Sequence, residues 1–176
     1  MEDLARASGL TKSSLYHHVS GKEQLLRLAV NRALDALDGV FAQEARQEDS
    51  AVHRLERVLR RTTGVLLAEL PYVTLLLRLR GNTEVEREAL ERRRSFDARL
   101  AAFVQDAMAA GEIRSDVDPR LVTRLLFGMV NSVVEWYRPA PPGATDGTDV
   151  GHGSRDDEIV HAVVELALDG LHAQRD

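Results

Sequence analysis

An all-α fold is what this sequence predicts, and three observations predict it. Apolar residues recur at threes and fours, or at sums of them: Val52, Leu55, Leu59, Leu66 and Leu70 make one series, and Val85, Ala89, Phe96, Leu100, Phe103 and Ala107 another. That spacing stacks side chains on one face of a helix. Period-two alternation of any length is missing and aromatic content is only 5%, so no segment carries a strand signature. Helix start and stop signals punctuate the chain at helix-length intervals. At 176 residues, 44% apolar and 29% charged, the chain has room for one ordinary core, or for a small head on a larger body.

The elements follow in order. In MEDLARASGLTKSSLYHHV, residues 1–19, a short helix holds Leu4 and Ala5, Gly9 turns the chain, and Thr11 caps a second short helix holding Leu15. Ala5 is small where two helices cross closely, and Gly9 supplies the positive φ of a tight inter-helix turn. Leu4, Leu10, Leu15 and Val19 pin the pair to the body. Lys12, Ser13, Ser14, His17 and His18 are left polar and outward, on a helix short enough to sit in a major groove. Ser20 with Glu23 forms a capping box that opens a helix through Leu25, Leu26, Ala29, Val30, Leu37 and Phe41. Thr83 with Glu86 repeats the signature after the Gly81-Asn82 stop. Asp118 and Pro119 set an N-cap with proline at the first helical position, and that helix runs to about Tyr137. From Pro139 to Ser154 the composition is that of a loop, and a last helix spans about Asp156 to His172.

Two of these helices are apolar over more than one face. Leu121, Val122, Leu125, Leu126, Phe127, Met129, Val130, Val133, Val134 and Trp136 cannot all point into one small core, and the last helix has the same excess. The pattern predicts a homodimer with a four-helix seam, two helices from each subunit. Leu125, Gly128, Val133, Val160, Val164 and Leu168 are the expected seam residues, Gly128 allowing close backbone approach.

Composition excludes several function classes. Cysteine is absent, which removes disulfides and thiolate metal sites. No apolar run is long enough for a bilayer and no signal-peptide pattern is present, so a cytoplasmic protein without membrane contact is expected. His17 and His18 are neighbours and project about 100° apart on a helix, so they do not chelate one ion. His161 and Glu165 share a face at i, i+4 without a third ligand at metal-site spacing, so no metal is expected. No nucleophile elbow, phosphate loop or dinucleotide fingerprint occurs, which argues against an enzyme and against a bound cofactor. The net charge is −5, but residues 1–32 carry five basic and three acidic groups while the remainder carries 18 and 25. A mildly basic head on an acidic body suits a protein that touches DNA with one end.

The run from Glu2 to Leu26, and LTKSSLYHHVSGKEQLL in particular, resembles the second helix, turn, recognition helix and following helix start of TetR-type bacterial transcriptional repressors. GEIRSDVDPRLVTRLLFGMV and the final helix near Glu165 to Leu171 extend the likeness to the regulatory domain. The resemblance implies a helix-turn-helix head with its connecting helix over residues 1–46. A helical effector-binding and dimerisation domain would follow over 47–176. Lys12, Ser13, Ser14 and His17 would face base edges of double-stranded operator DNA. Thr11, Tyr16, His18 and Lys22 would hold phosphates, Lys22 at a helix start whose free amides favour anions in any case. Such heads begin with a further helix, and Met1 stands where the second one starts, so the first helix is expected to be missing. Two functions follow: a repressor released from a palindromic operator by a small molecule, or a DNA-incompetent ligand-binding dimer.

For the effector, LLLRLRGN at 75–82 and WYRP at 136–139 look like family members that answer to acyl-CoA thioesters or related acids. Arg78 is the expected anion-binding group at the pocket entrance, arginine being suited to phosphate and carboxylate. Phe96, Phe103, Phe127 and Trp136 are the expected apolar wall.

Overall fold

The structure is a computed structural model that describes residues 21–42, 49–139 and 152–171. These residues form α1 (Lys22–Phe41), α2 (Ala51–Ala68), α3 (Leu70–Leu77), α4 (Glu84–Ala109), α5 (Pro119–Trp136) and α6 (His152–Asp169), with no strand among them. None of the six helices is long and apolar enough to cross a membrane.

Helix α2 is the hub, packing against all five others. Leu55, Val58, Leu59, Thr62, Thr63 and Leu66 are buried along it. The two buried threonine hydroxyls donate to the carbonyls of Val58 and Leu59 one turn back, at 2.7 and 2.9 Å, so neither is left unpaired in the apolar interior. Around α2 the core continues through Val30, Ala33 and Leu34 of α1, Phe96, Leu100 and Val104 of α4, and Val122, Leu126 and Val130 of α5.

The helix ends follow local chemistry. At α4 the Thr83 hydroxyl accepts from the Glu86 amide at 3.3 Å. The Glu86 carboxylate accepts from the amides of Arg80, Gly81 and Asn82 at 2.8–3.1 Å, which holds it below the usual carboxylate range. Gly81 takes φ 86° in that turn. Gly111 takes φ 70° after α4, where the Gly111 and Glu112 amides donate back to Met108 and Ala107. These two bonds are a Schellman stop, the reason for glycine there. Asp118 caps α5 as expected, accepting from the amides of Arg120 and Leu121. The expected box at α1 differs: Gly21 is the N-cap and no side chain caps it, while Ser20 lies outside the described residues.

The stop of α4 also serves α2. Glu112, carried out by Gly111, accepts from the Val52 amide at 2.6 Å at the start of α2. The next residues close the far end, since the Arg114 amide donates to the Leu171 carbonyl at 2.9 Å. Tyr137, buried at the end of α5, donates to Asp156 near the start of α6, and burial with that bond raises its phenol to about 12.

Bonding to the Val52 amide, before the smaller effects of Ser50 and Ala51, holds Glu112 below the usual range. A carboxyl whose folded value is depressed stabilises the fold above its unfolded value and loses that contribution as pH falls through the folded one. Glu112→Gln is therefore expected to lower stability at neutral pH and to flatten the loss below about pH 4.3. Urea midpoints of both proteins from neutral to acidic pH check this, and parallel curves would refute it.

Candidate effector cavity

The first two turns of α1 have no buried side chain; burial begins at Val30 and continues through Ala33, Leu34, Leu37, Val40 and Phe41. Lys22 stands exposed at the helix start, and Leu28 is 57% exposed. One continuous helix thus runs from a solvent-facing end into the core, with Lys22 and Leu37 about 22 Å apart along its axis.

Its buried half meets a cavity of about 30 Å³ to which five helices contribute. Leu37 comes from α1, Thr62 and Leu66 from α2, and Val73, Leu76 and Leu77 from α3. Helix α4 adds Arg93, Phe96 and Asp97, and α5 adds Phe127 and Asn131. Apolar walls with a few convergent polar groups are the composition of small-molecule sites. The volume holds a water and little more, against roughly 300 Å³ or more for a metabolite pocket. A metabolite therefore enters only if a wall moves. Helix α3 is the least anchored wall, eight residues long with only Val73 and Leu76 buried.

Asp97 is half buried, and burial pushes its carboxyl above the usual aspartate range against an opposing pull from Arg93. Phe96 and Phe127 meet in the wall, ring centres 5.7 Å apart. Phe96 also contacts Phe41 at 4.9 Å, and Phe41 stacks on Phe103 at 5.8 Å. The four phenylalanines of the chain thus form one row from the cavity to the last turn of α1.

Expected site residues separate accordingly. Phe96 and Phe127 line the cavity; Arg78, Phe103 and Trp136 do not. Arg78 is the exposed residue that ends α3, and Arg93 supplies the cationic group inside. Phe103 lies behind Phe41, and Trp136 is 56% exposed against α6. Arg93 and Asp97 were readable as an i, i+4 pair flanking the apolar Phe96; Leu37 and the α3 leucines carry no signal beyond core periodicity. Thr11, Lys12, Ser13, Ser14, Tyr16, His17 and His18 lie outside the described residues.

A row of arginines fastens α1 to its neighbours. Arg92 of α4 reaches Asp35 at 2.7 Å, Asp38 at 2.6 Å and Asn31 at 3.2 Å. These carboxylates, Asp38 first, hold its guanidinium above the usual range. Arg99 lies 4.0 Å over the Phe41 ring and 3.8 Å from Asp38. Arg27 pairs with Glu88, and Arg32 bonds Glu69 at 2.6 Å while covering Tyr72.

On the opposite side α5 and α6 enclose two open grooves, of about 190 and 340 Å³. Leu125, Trp136 and Leu166 are 62%, 56% and 67% exposed beside them, with Leu121 close behind. Of the expected seam residues, Leu125 and Gly128 face outward and Val160 and Leu168 are half-buried. Val133 and Val164 are instead interior residues, 1% and 0% exposed, because the two helices turn those faces toward α2 and the core. Open space surrounds Gly128.

Residues 48–171 match the family model for the tetracyclin repressor-like C-terminal domain. SCO3833, a TetR regulator of Streptomyces coelicolor A3 with a crystal structure, is 55% identical, with a TM-score of 0.84 over 98% of this chain and 82% of that one. The HTH-type transcriptional repressor KstR2 of Mycolicibacterium smegmatis is 28% identical over 156 residues, 81% of this chain and 71% of its own. AibR, solved in complex with isovaleryl coenzyme A and operator DNA, is 24% identical with a TM-score of 0.72, over 94% and 84% of the two chains. That last likeness is one of fold.

Removing the α1 fastening is expected to loosen α1 without unfolding the body. Arg92→Ala should cost about 1 kcal/mol or less, as partly exposed ion pairs do. It should speed amide exchange in residues 30–38 while leaving α5 and α6 unchanged. Uniform acceleration over all helices would contradict the local role.

Proposed function

The chain belongs to the tetracycline-repressor-like family, and from that we propose that it is a ligand-responsive repressor that leaves operator DNA when a small molecule enters the inner cavity. The observation that carries the reading is α1, one helix with Lys22 at its exposed end and Leu37 in the cavity wall. Residues 1–46 act as head and connecting helix, and 47–176 as the effector-binding and dimerisation body. Lys12, Ser13, Ser14 and His17 take the base edges, with Thr11, Tyr16, His18 and Lys22 on phosphates, by likeness to the family's head. KstR2 being a named repressor favours repression over activation.

Two copies join through α5 and α6. Leu121, Leu125, Trp136 and Leu166 form an apolar outer face rarely left to water, and the flanking grooves accept a partner's side chains. Dimerisation fixes the distance between two heads on a palindrome. Opening the cavity displaces Leu37 and, through Phe96, Phe41, so α1 changes its angle and the heads change their spacing. The effector must bind this released state more tightly, since equal affinity for both states shifts nothing. An acyl or other organic-acid derivative suits the apolar wall with Arg93 at one side.

Fluorescence anisotropy of the chain on its own promoter DNA tests the reading. Specific binding that falls with salt is expected, and Lys22→Ala should weaken it across all sequences and reduce the salt slope by about one. Failure to bind at low salt would favour a ligand-binding dimer without DNA function. For the seam, Leu166→Glu is expected to give monomers by sedimentation with the thermal midpoint of the helical body largely kept. A variant that stays dimeric would place the interface elsewhere.

A further inference from the structure

We infer that the inner cavity, read as the effector site, selects neutral amide-bearing apolar molecules over the matching free carboxylates because Asp97 stands at its polar side. Arg93, Asp97 and Asn131 line the cavity, and none of the three bonds another described side chain or backbone group. Arg93 and Asp97 lie four residues apart on α4 and so share one face with Phe96. The cavity thus offers a charged donor, a carboxyl acceptor and an amide that does both.

A carboxylate entering here would lie beside Asp97 with one guanidinium between two negative groups. Arg93 does not neutralise both, so one carboxyl must take up a proton before the ligand is held. Burial already disfavours the charged form of Asp97, so that proton is taken up there, and its uptake at neutral pH is the cost a carboxylate carries and an amide does not. A primary amide meets no such conflict. Its NH2 donates to Asp97 and to the Asn131 carbonyl, its own carbonyl accepts from Arg93, and its chain lies against Leu66, Leu76 and Phe127. The same polarity admits other neutral acid derivatives with a donor near the carbonyl. A bare acid is the disfavoured member of the series.

Calorimetric titration of the full-length chain with octanamide and with octanoate at neutral pH tests this. Octanamide is expected to bind at least about tenfold more tightly, one pK unit of conflict being worth that factor. Asp97→Asn and Asp97→Ser should bring the ratio to one or below by admitting octanoate. The two variants are read together so that a folding defect in one does not decide the result. Leu66→Trp, which fills the cavity, should abolish binding of both probes. Equal affinities in the unmodified chain, or a ratio unchanged in both Asp97 variants, would overturn the selectivity while leaving the cavity as the effector site. Binding of neither probe, or binding that survives Leu66→Trp, would overturn the cavity reading and the selectivity with it.

Discussion

Much of this architecture depends on the contact of Phe41 with Phe96, the last turn of α1 against the middle of α4. It holds the inner end of a helix whose burial begins at Val30 and whose N-terminal start is unburied. Leu34, Leu37 and Val40 belong to the same buried cluster, and Phe96 shares the cavity wall with Leu37. Burial of a large apolar side chain is worth roughly 1.5–3 kcal/mol, and paired aromatic rings add about 0.5–1.5 kcal/mol. Exposed ion pairs give about 0–1 kcal/mol each. The phenylalanine row therefore decides that α1 docks at all, and Arg92, Arg99, Arg27 and Arg32 decide how it lies once docked. That division suits a lever, because weak polar contacts exchange partners at small cost while the apolar pivot persists.

How much of this was legible in the sequence depended on how local each feature is. Thr83, Glu86, Asp118 and Pro119 act within one turn of their own helices, so their spacing alone gave the ends of α4 and α5. The cap that Glu112 supplies to α2 spans sixty positions and left no mark in local spacing. Glu86 illustrates the middle case: the capping box was readable, yet its carboxylate gathers the amides of residues 80–82 because Gly81 turns them toward it.

The seam shows a different limit. In α5 and α6 apolar residues occupy nearly every face, so periodicity identified helices with a second partner without saying which face met which. Val133 and Val164 turned inward while Leu121 and Leu166 turned outward, a choice made by how the helices pack on α2. Residue type alone suggests Trp136 as a pocket wall, and it lies on the outer groove. Among the arginines the sequence puts Arg78 first, yet packing leaves Arg78 exposed at the end of α3 and puts Arg93 in the cavity wall. A signal did exist, since Arg93 and Asp97 set opposite charges four residues apart beside Phe96 of the apolar stripe of α4.

The small volume of the cavity bears on mechanism more than its lining does. A preformed pocket would admit ligand without moving its walls, and the bound and free protein would then present the same α1 to DNA. With the cavity as the proposed effector site, its walls must part, so part of a ligand's binding free energy would go into displacing α3 or α1. Displacing α3 also pulls on α1, because Arg32 of α1 bonds Glu69 at the start of α3 and covers Tyr72 within it. Displacing α1 carries Lys22 through a long lever arm, but it also strains the Arg92 and Arg99 contacts. On the proposed effector reading, a molecule bulky enough to reach Leu37 and Phe96 together would move α1 most, so signalling would depend on the size of the apolar body and binding on the polar side.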